Sequence, residues 1–419
     1  MIAVKNGKIV TPTGVIENKI LWLEDGLISA ISDDAGNTGD TGNTGDTGNT
    51  GDAGNVRNTG DAWNAAEAGE IIDARGRYVT PGFIDIHSDR IEQFIQPRPT
   101  SQMDFELALK ECERELLHLG ITTMYHSLAL FKDEFFGKTP LRTKENVARL
   151  SELIRGIHDR NHLIRHRIHL RIEIDNLEAY DIVKSMMERN LVHQISFMDH
   201  TPGQGQYRSL EIYEKTISKY QGKEISSVGI EEIYHYHREK EILSFRQLKE
   251  LTDMAHEKGI PVASHDDDTV AKLEVNRELG LDISEFPIML ETARAARNMG
   301  FFTVVGAPNI LLGGSHSGNM SAAEAIREDC ADILCSDYYP PAILHGVFSM
   351  HDRYAVPLHE MVNRATLNPA RAMRIEDRYG SIEVGKRADL LIIDVLDGYP
   401  VITHVLVDGK PTARVEYRK

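Results

Sequence analysis

A chain of 419 residues with 41% hydrophobic content is long enough for one large domain and a smaller one, and neither a disordered chain nor a membrane protein fits that composition. No apolar run approaches the roughly 20 residues of a spanning helix. The net charge of −17 repels polyanions, which argues against nucleic acid or an acidic membrane surface as partner. A small anion is still admissible where metal ions and backbone N–H groups supply a local positive field.

From the N-terminus, "MIAVKNGKIV" lacks the charged and apolar regions of a secretory signal and reads as a strand entering an Asn-Gly turn. With Asp25-Gly26 it suggests a set of hairpins. The C-terminal "GSIEVGKRADLLIIDV" and "THVLVDGK" repeat that pattern, with Asp408-Gly409 as the last turn. Both ends are therefore expected in one β domain, 1–80 plus 369–419. Between them, 36–53 repeats "GNTGDT" three times, the last copy ending in Ala53, and decays toward 64. Calcium-binding β-rolls have nine-residue repeats with an apolar position in each, absent here, so 36–64 reads as a flexible polar insert.

Residues 81–368 alternate helical and strand patterns. The strand candidates are "GFIDIHSD", "ITTMYHSL", "RIHLRIEI", "HQISFMDH", "IPVASHDD", "DISEFPI", "FTVVGAPN" and "ADILCSDYY". Eight strands, several preceded by an amphipathic helix, predict an α/β fold of the (β/α)8 barrel type, with a doubly wound open sheet as the alternative. Val147, Leu150, Ile154 and Ile157 form one helical face; Leu248, Leu251 and Ala255 form another, stopped by Gly259. The polar connection 201–245 follows a strand, where barrels place lids. Three cysteines are too few, and odd in number, for a disulfide framework, so Cys112, Cys330 and Cys335 are assigned to the core of a cytoplasmic enzyme.

One event recurs along the strands: an apolar run ends in a residue able to bind metal. His87 and Asp89 end the first, Glu173 the third, His200 the fourth, His265 the fifth and Asp337 the eighth. The C-terminal ends of barrel strands meet at one mouth, where three His and three carboxylates suit one or two divalent metals. Most of the 18 histidines have other roles. His158, His162, His166 and His169 are expected at solvated positions near a helix end, and His126 lacks acidic neighbours. Of Asp266, Asp267 and Asp268, one is positioned to orient His265 through its other ring nitrogen. Downstream, "GAPNILLGGSHSGN" offers Asn309, Gly313, Gly314, Ser315, His316, Ser317, Gly318 and Asn319 as an anion-binding nest without the P-loop spacing.

The stretches "PGFIDIH" and "NPAR...GSIEVGKRADLLIID" resemble the amidohydrolase superfamily. "HSDRIEQFIQPRP", "HLRIEI", "SFMDHTPGQ", "ASHDDDT" and "LCSDYYPPAIL" resemble, within it, the diphosphatases of phosphonate metabolism. The resemblance implies hydrolysis of α-D-ribose 1-methylphosphonate 5-triphosphate to the 5-phosphate and pyrophosphate, with zinc or manganese as metal. It also implies Asp89 in place of the second His of the usual pair, Glu173 in place of a bridging carboxylated lysine, and Asp337 as proton acceptor. Arg98 and His316 become candidates for phosphate contacts. A homo-oligomer is a further expectation, oligomers being common in the superfamily. The alternatives are hydrolysis of a cyclic amide or deamination of a base, and a non-catalytic assembly protein; a phosphate-binding nest separates the first from the triphosphate reading.

Overall fold

The computed structural model describes residues 1–34, 68–130, 140–199, 240–314 and 319–418. The 36–64 insert and most of the 201–245 connection lie outside the described residues.

All eight strand candidates form one parallel sheet in sequence order. They are β1 (Phe83–Ser88), β2 (Ile121–Leu130), β3 (Arg165–Glu173), β4 (Gln194–Met198), β5 (Val262–His265), β6 (Ile283–Glu285), β7 (Phe302–Gly306) and β8 (Ile333–Cys335). Closure comes from just beyond the last strand. The Asp337 N–H donates to the His87 carbonyl at 2.9 Å and the Asp89 N–H to the Asp337 carbonyl at 3.0 Å. A (β/α)8 barrel results, and its seam runs through three of the residues expected at the metal centre.

The helices outside it form where the sequence supplies a stripe and a cap. In Phe105–His118, Leu109, Cys112 and Leu116 are buried against the barrel while the Asp104 carboxylate accepts from the N–H groups of Glu106 and Leu107. Thr143 caps Lys144–Ile157, whose Val147, Leu150, Ile154 and Ile157 are all buried. Ser244 and Gln247 make a reciprocal capping box on Phe245–Glu257. All three cysteines are buried and free, and among the described residues no helix is long and apolar enough to cross a membrane.

Strands from both chain ends build the remaining sheets. One of six strands places Lys410–Arg414, Tyr399–Val407 and Leu390–Leu396 beside Tyr78–Pro81, Lys8–Thr11 and Gly14–Ile16. A second, of four strands, contains Leu27–Asp33, Lys19–Glu24, Ile2–Lys5 and Glu70–Asp73. Val4, Ile9, Leu21, Ile28, Leu390 and Leu406 form a shared core. Asp25-Gly26 and Asp408-Gly409 are hairpin turns with positive φ at both residues. Asn6-Gly7 is not, because the strands on either side of it enter different sheets. Gly7 is required there for closeness, since a Cβ would lie 2.5 Å from Val79 Cγ2.

Arg165, at the start of β3, ties the barrel to the C-terminal strands. Its guanidinium donates to Asp389 at 2.5 Å and Asp408 at 2.6 Å, and lies over the Tyr379 ring. Arg165 and Asp389 are both buried. Replacing Arg165 by Ala leaves Asp389 buried without its counter-charge, and the expected loss is about 3–5 kcal/mol, measured as a shift in the urea unfolding midpoint. A shift below the uncertainty of that measurement would show that the pair is dispensable.

Candidate metal centre at the barrel mouth

A cleft of about 400 Å³ opens at the C-terminal ends of the strands. Its lining includes His87 and Asp89 from the end of β1, Arg171 from β3, His265 and Asp266 from β5, and Asp337 after β8. Phe286, Pro308 and Met320 add an apolar wall. His87, Asp89, His265 and Asp337 thus share one cleft although up to 250 residues separate them in sequence.

The tightest constellation includes a residue the strand-end rule did not single out. Ligand atoms of His87, His265 and Glu285 lie within 4.8 Å of one another. Glu285 ends β6 and is fully buried, with Oε1 accepting from Gln194 Nε2 at 2.9 Å. Its Oε2 lies 3.3 Å from His87 Nδ1, yet among the described residues neither atom has a hydrogen-bond partner. Asp89 Oδ1 is likewise buried and unpartnered. Buried polar atoms left in this state cost free energy unless something binds them. Two imidazoles and carboxylates of this kind are a donor set for a divalent cation.

Electrostatics agree with that use. Burial, followed by the neighbouring Arg171 charge, holds His87 well below the ordinary imidazole range, so its ring is neutral as a ligand must be. On His265, Nδ1 lies 3.1 Å from Asp266 Oδ2, which leaves Nε2 directed at Arg171 Nη2, 3.2 Å away. Asp266 is thus the one of the three aspartates whose carboxylate lies beside the His265 ring. Asp267 faces elsewhere, accepting from Ser264, Ser284 and Asn276 and locking β5 to β6. Asp337 is pushed up to about 7, by burial first and by the Asp89 charge next. Asp89 rises to about 6, by burial and then Glu92. A divalent cation nearby would draw both back down.

Residues immediately after β5, β6 and β8 hold the left-handed conformation: Asp266 at φ +53°, Phe286 at +55° and Asp337 at +56°. Aspartate tolerates this region and phenylalanine does not. The Phe286 ring packs edge-on against His87 and His265, with centroids 4.9 and 5.1 Å away, which fixes both imidazoles.

Other expected site residues are placed as follows. Glu173 is buried at the end of β3 and is not among the residues lining the cleft. Arg98 is exposed and also outside it. His200, Ser315, His316, Ser317 and Gly318 lie outside the described residues. Asn309 and Asn319 line the cleft, but Asn309 uses its amide within the loop, accepting from the Ala322 N–H and donating to the Met320 carbonyl. Residues Ala307–Leu312 form a short helix started by Pro308, with Gly313 at φ +75° as its C-cap.

Two expectations about histidine are corrected. His166 and His169 are not solvated; both are fully buried within β3. His169 lies beneath the cage, with its ring 5.0 Å from His87, Nδ1 3.1 Å from the Ile86 carbonyl and Nε2 2.9 Å from Ser196 Oγ. Burial pulls it down to about 3, so it is neutral. On the opposite face of β3, His166 links His126, at 2.8 Å, to Glu113, at 3.2 Å, behind the barrel wall.

The amidohydrolase family profile matches residues 91–413. This chain belongs to the amidohydrolase family. Over 350 residues it is 34% identical to the α-D-ribose 1-methylphosphonate 5-triphosphate diphosphatase of Escherichia coli K12, covering 81% of this chain and 89% of that one. An imidazolonepropionase of a Geobacillus species is 22% identical over 424 residues, 93% of this chain and 87% of the relative. Among solved structures, the N-acetylglucosamine-6-phosphate deacetylase of Pasteurella multocida superposes with a TM-score of 0.60 over 98% of both chains at 14% identity, which speaks for the fold. Divalent metals are usual in amidohydrolases, and the His87, His265 and Glu285 cluster is where this one offers a site.

Proposed function

We propose that this amidohydrolase is a metal-dependent diphosphatase that cleaves α-D-ribose 1-methylphosphonate 5-triphosphate to the 5-phosphate and pyrophosphate. The observation that carries it is the match to the Escherichia coli diphosphatase across most of both chains. The cleft agrees in charge, since an arginine stands beside the cage where a phosphorylated substrate would meet it.

In this proposal His87, Asp89, His265, Glu285 and Asp337 would hold zinc or manganese, with Glu173 and His200 as further ligands. When bound, such a metal supplies a Lewis acid and lowers the pKa of water toward about 7. The protein's own part is to accept a proton and to orient the substrate. Asp337 takes the proton of the attacking water on its carboxylate. Phe286, Pro308 and Met320 restrict access of bulk water to one side of the cleft. The enzyme would be cytoplasmic and act on a small anion, without nucleic acid or membrane as partner.

The test is hydrolysis of ribose and nucleoside 5′-triphosphates, then of the ribose 1-methylphosphonate triphosphate, by zinc- or manganese-loaded protein with phosphorus NMR of the products. Metal-dependent release of pyrophosphate is expected. No release from the phosphonate substrate by metal-loaded protein would return the amide or deaminase reading, which the full-length likeness to imidazolonepropionase favours.

A further inference from the structure

Arg171 was not among the residues the sequence singled out, and its position is hard to reconcile with a purely structural role. β3 carries His169, Arg171 and Glu173 at alternate positions, so the three share one face of the strand. Arg171 lines the cleft, and its Nη2 donates to the His265 Nε2 lone pair at 3.2 Å. Its Nε is buried and has no hydrogen-bond partner among the described residues. A guanidinium has five N–H donors in a rigid plane, and here one of them approaches a cage ligand while another is left unused.

The lone pair on His265 Nε2 cannot serve Arg171 and a cation together. A divalent ion held through that nitrogen would displace the arginine from the imidazole and leave it in the cleft. Two positive charges would then face the open side of the cleft, and an oxyanion entering there could meet both. A non-bridging oxygen pair of a phosphoryl group matches the guanidinium fork in shape and charge, whereas a neutral amide or ring does not.

We propose that Arg171 is a substrate-binding residue that grips phosphoryl oxygens beside the metal cage, and that it gives the cleft its preference for a polyphosphate over a neutral substrate. This rests on the diphosphatase reading above. The rival role is that of a plain counter-charge to Asp89 and Asp337, which needs only a positive charge and no fork.

The experiment measures binding of inorganic pyrophosphate and tripolyphosphate to manganese-loaded protein by calorimetry, with metal content determined before and after. Wild-type protein, Arg171→Gln and Arg171→Lys are compared. Arg171→Gln is expected to weaken both ligands by at least about tenfold with metal content kept, and Arg171→Lys to recover only part of that. Full recovery by Lys would overturn the fork in favour of the counter-charge. Wild-type binding that is unchanged in Arg171→Gln overturns the role of Arg171 and leaves the diphosphatase reading standing. A wild-type protein that binds neither anion overturns both. Loss of manganese from both variants would assign Arg171 to the cage itself and overturn the proposal.

Discussion

Asp337→Asn is expected to lower turnover by at least about a thousandfold, the range for a lost general base, with the fold and metal content largely kept. The backbone of residue 337 closes the barrel through His87 and Asp89, and those bonds do not involve the side chain. Asparagine also tolerates the left-handed conformation held there at φ +56°. Burial and the Asp89 charge push the Asp337 carboxyl up to about 7, so the folded protein holds its proton more tightly than the unfolded chain does. The group's cost to folding is absent below the ordinary carboxylate range, grows as the pH rises from there, and is fully present above about 7. Asparagine removes that cost, and with chelator present the melting temperature of the variant near neutral pH should equal or exceed that of the wild type. Circular dichroism melts, metal analysis and product formation are read together. Turnover near wild type would take Asp337 out of the chemistry, while collapse of the fold would make it a structural residue.

The barrel was legible because each strand is a short apolar run bounded by polar residues, and the runs that lead into His87 and Asp89, His265 and Asp337 deliver those side chains to the mouth. The same rule passes over Glu285. In "DISEFPI" the carboxylate is followed by Phe286, Pro287 and Ile288, so the apolar pattern resumes and no polar break marks the strand end. What ends β6 is the left-handed Phe286, a backbone event that composition does not announce. His169 and Arg171 were hidden differently. Polar residues at alternate positions on a strand usually mean a solvated face, and in "RIHLRIEI" that face is the barrel interior. His166 is on the other face and equally buried, under the helix that carries Glu113, a tertiary fact without a local signature. Ahead of the glycine-rich segment, Pro308 and Gly313 are start and stop signals of a helix, and they were available in the sequence.

Glu285→Gln separates a metal ligand from a buried counter-charge. Beside His87 and His169, Glu285 invites the second interpretation, yet burial keeps both imidazoles neutral at physiological pH, and no cation balances it from that side. Gln194 satisfies one of its oxygens and the other has no hydrogen-bond partner among the described residues. A buried carboxylate half satisfied in this way is unfavourable by itself. Glutamine is nearly isosteric and its carbonyl oxygen can still accept from Gln194, so the substitution removes charge with little change in packing. Metal affinity should therefore fall by roughly 100-fold or more, since even groups that merely orient a ligand are worth 10- to 100-fold. In the presence of chelator, by contrast, the variant should melt at or above the wild-type temperature. Metal titration by calorimetry and thermal melts with and without chelator give both numbers. If the variant binds metal as tightly as the wild type, Glu285 is not part of the cage, and the hydrolase would have to assemble it from the other proposed ligands.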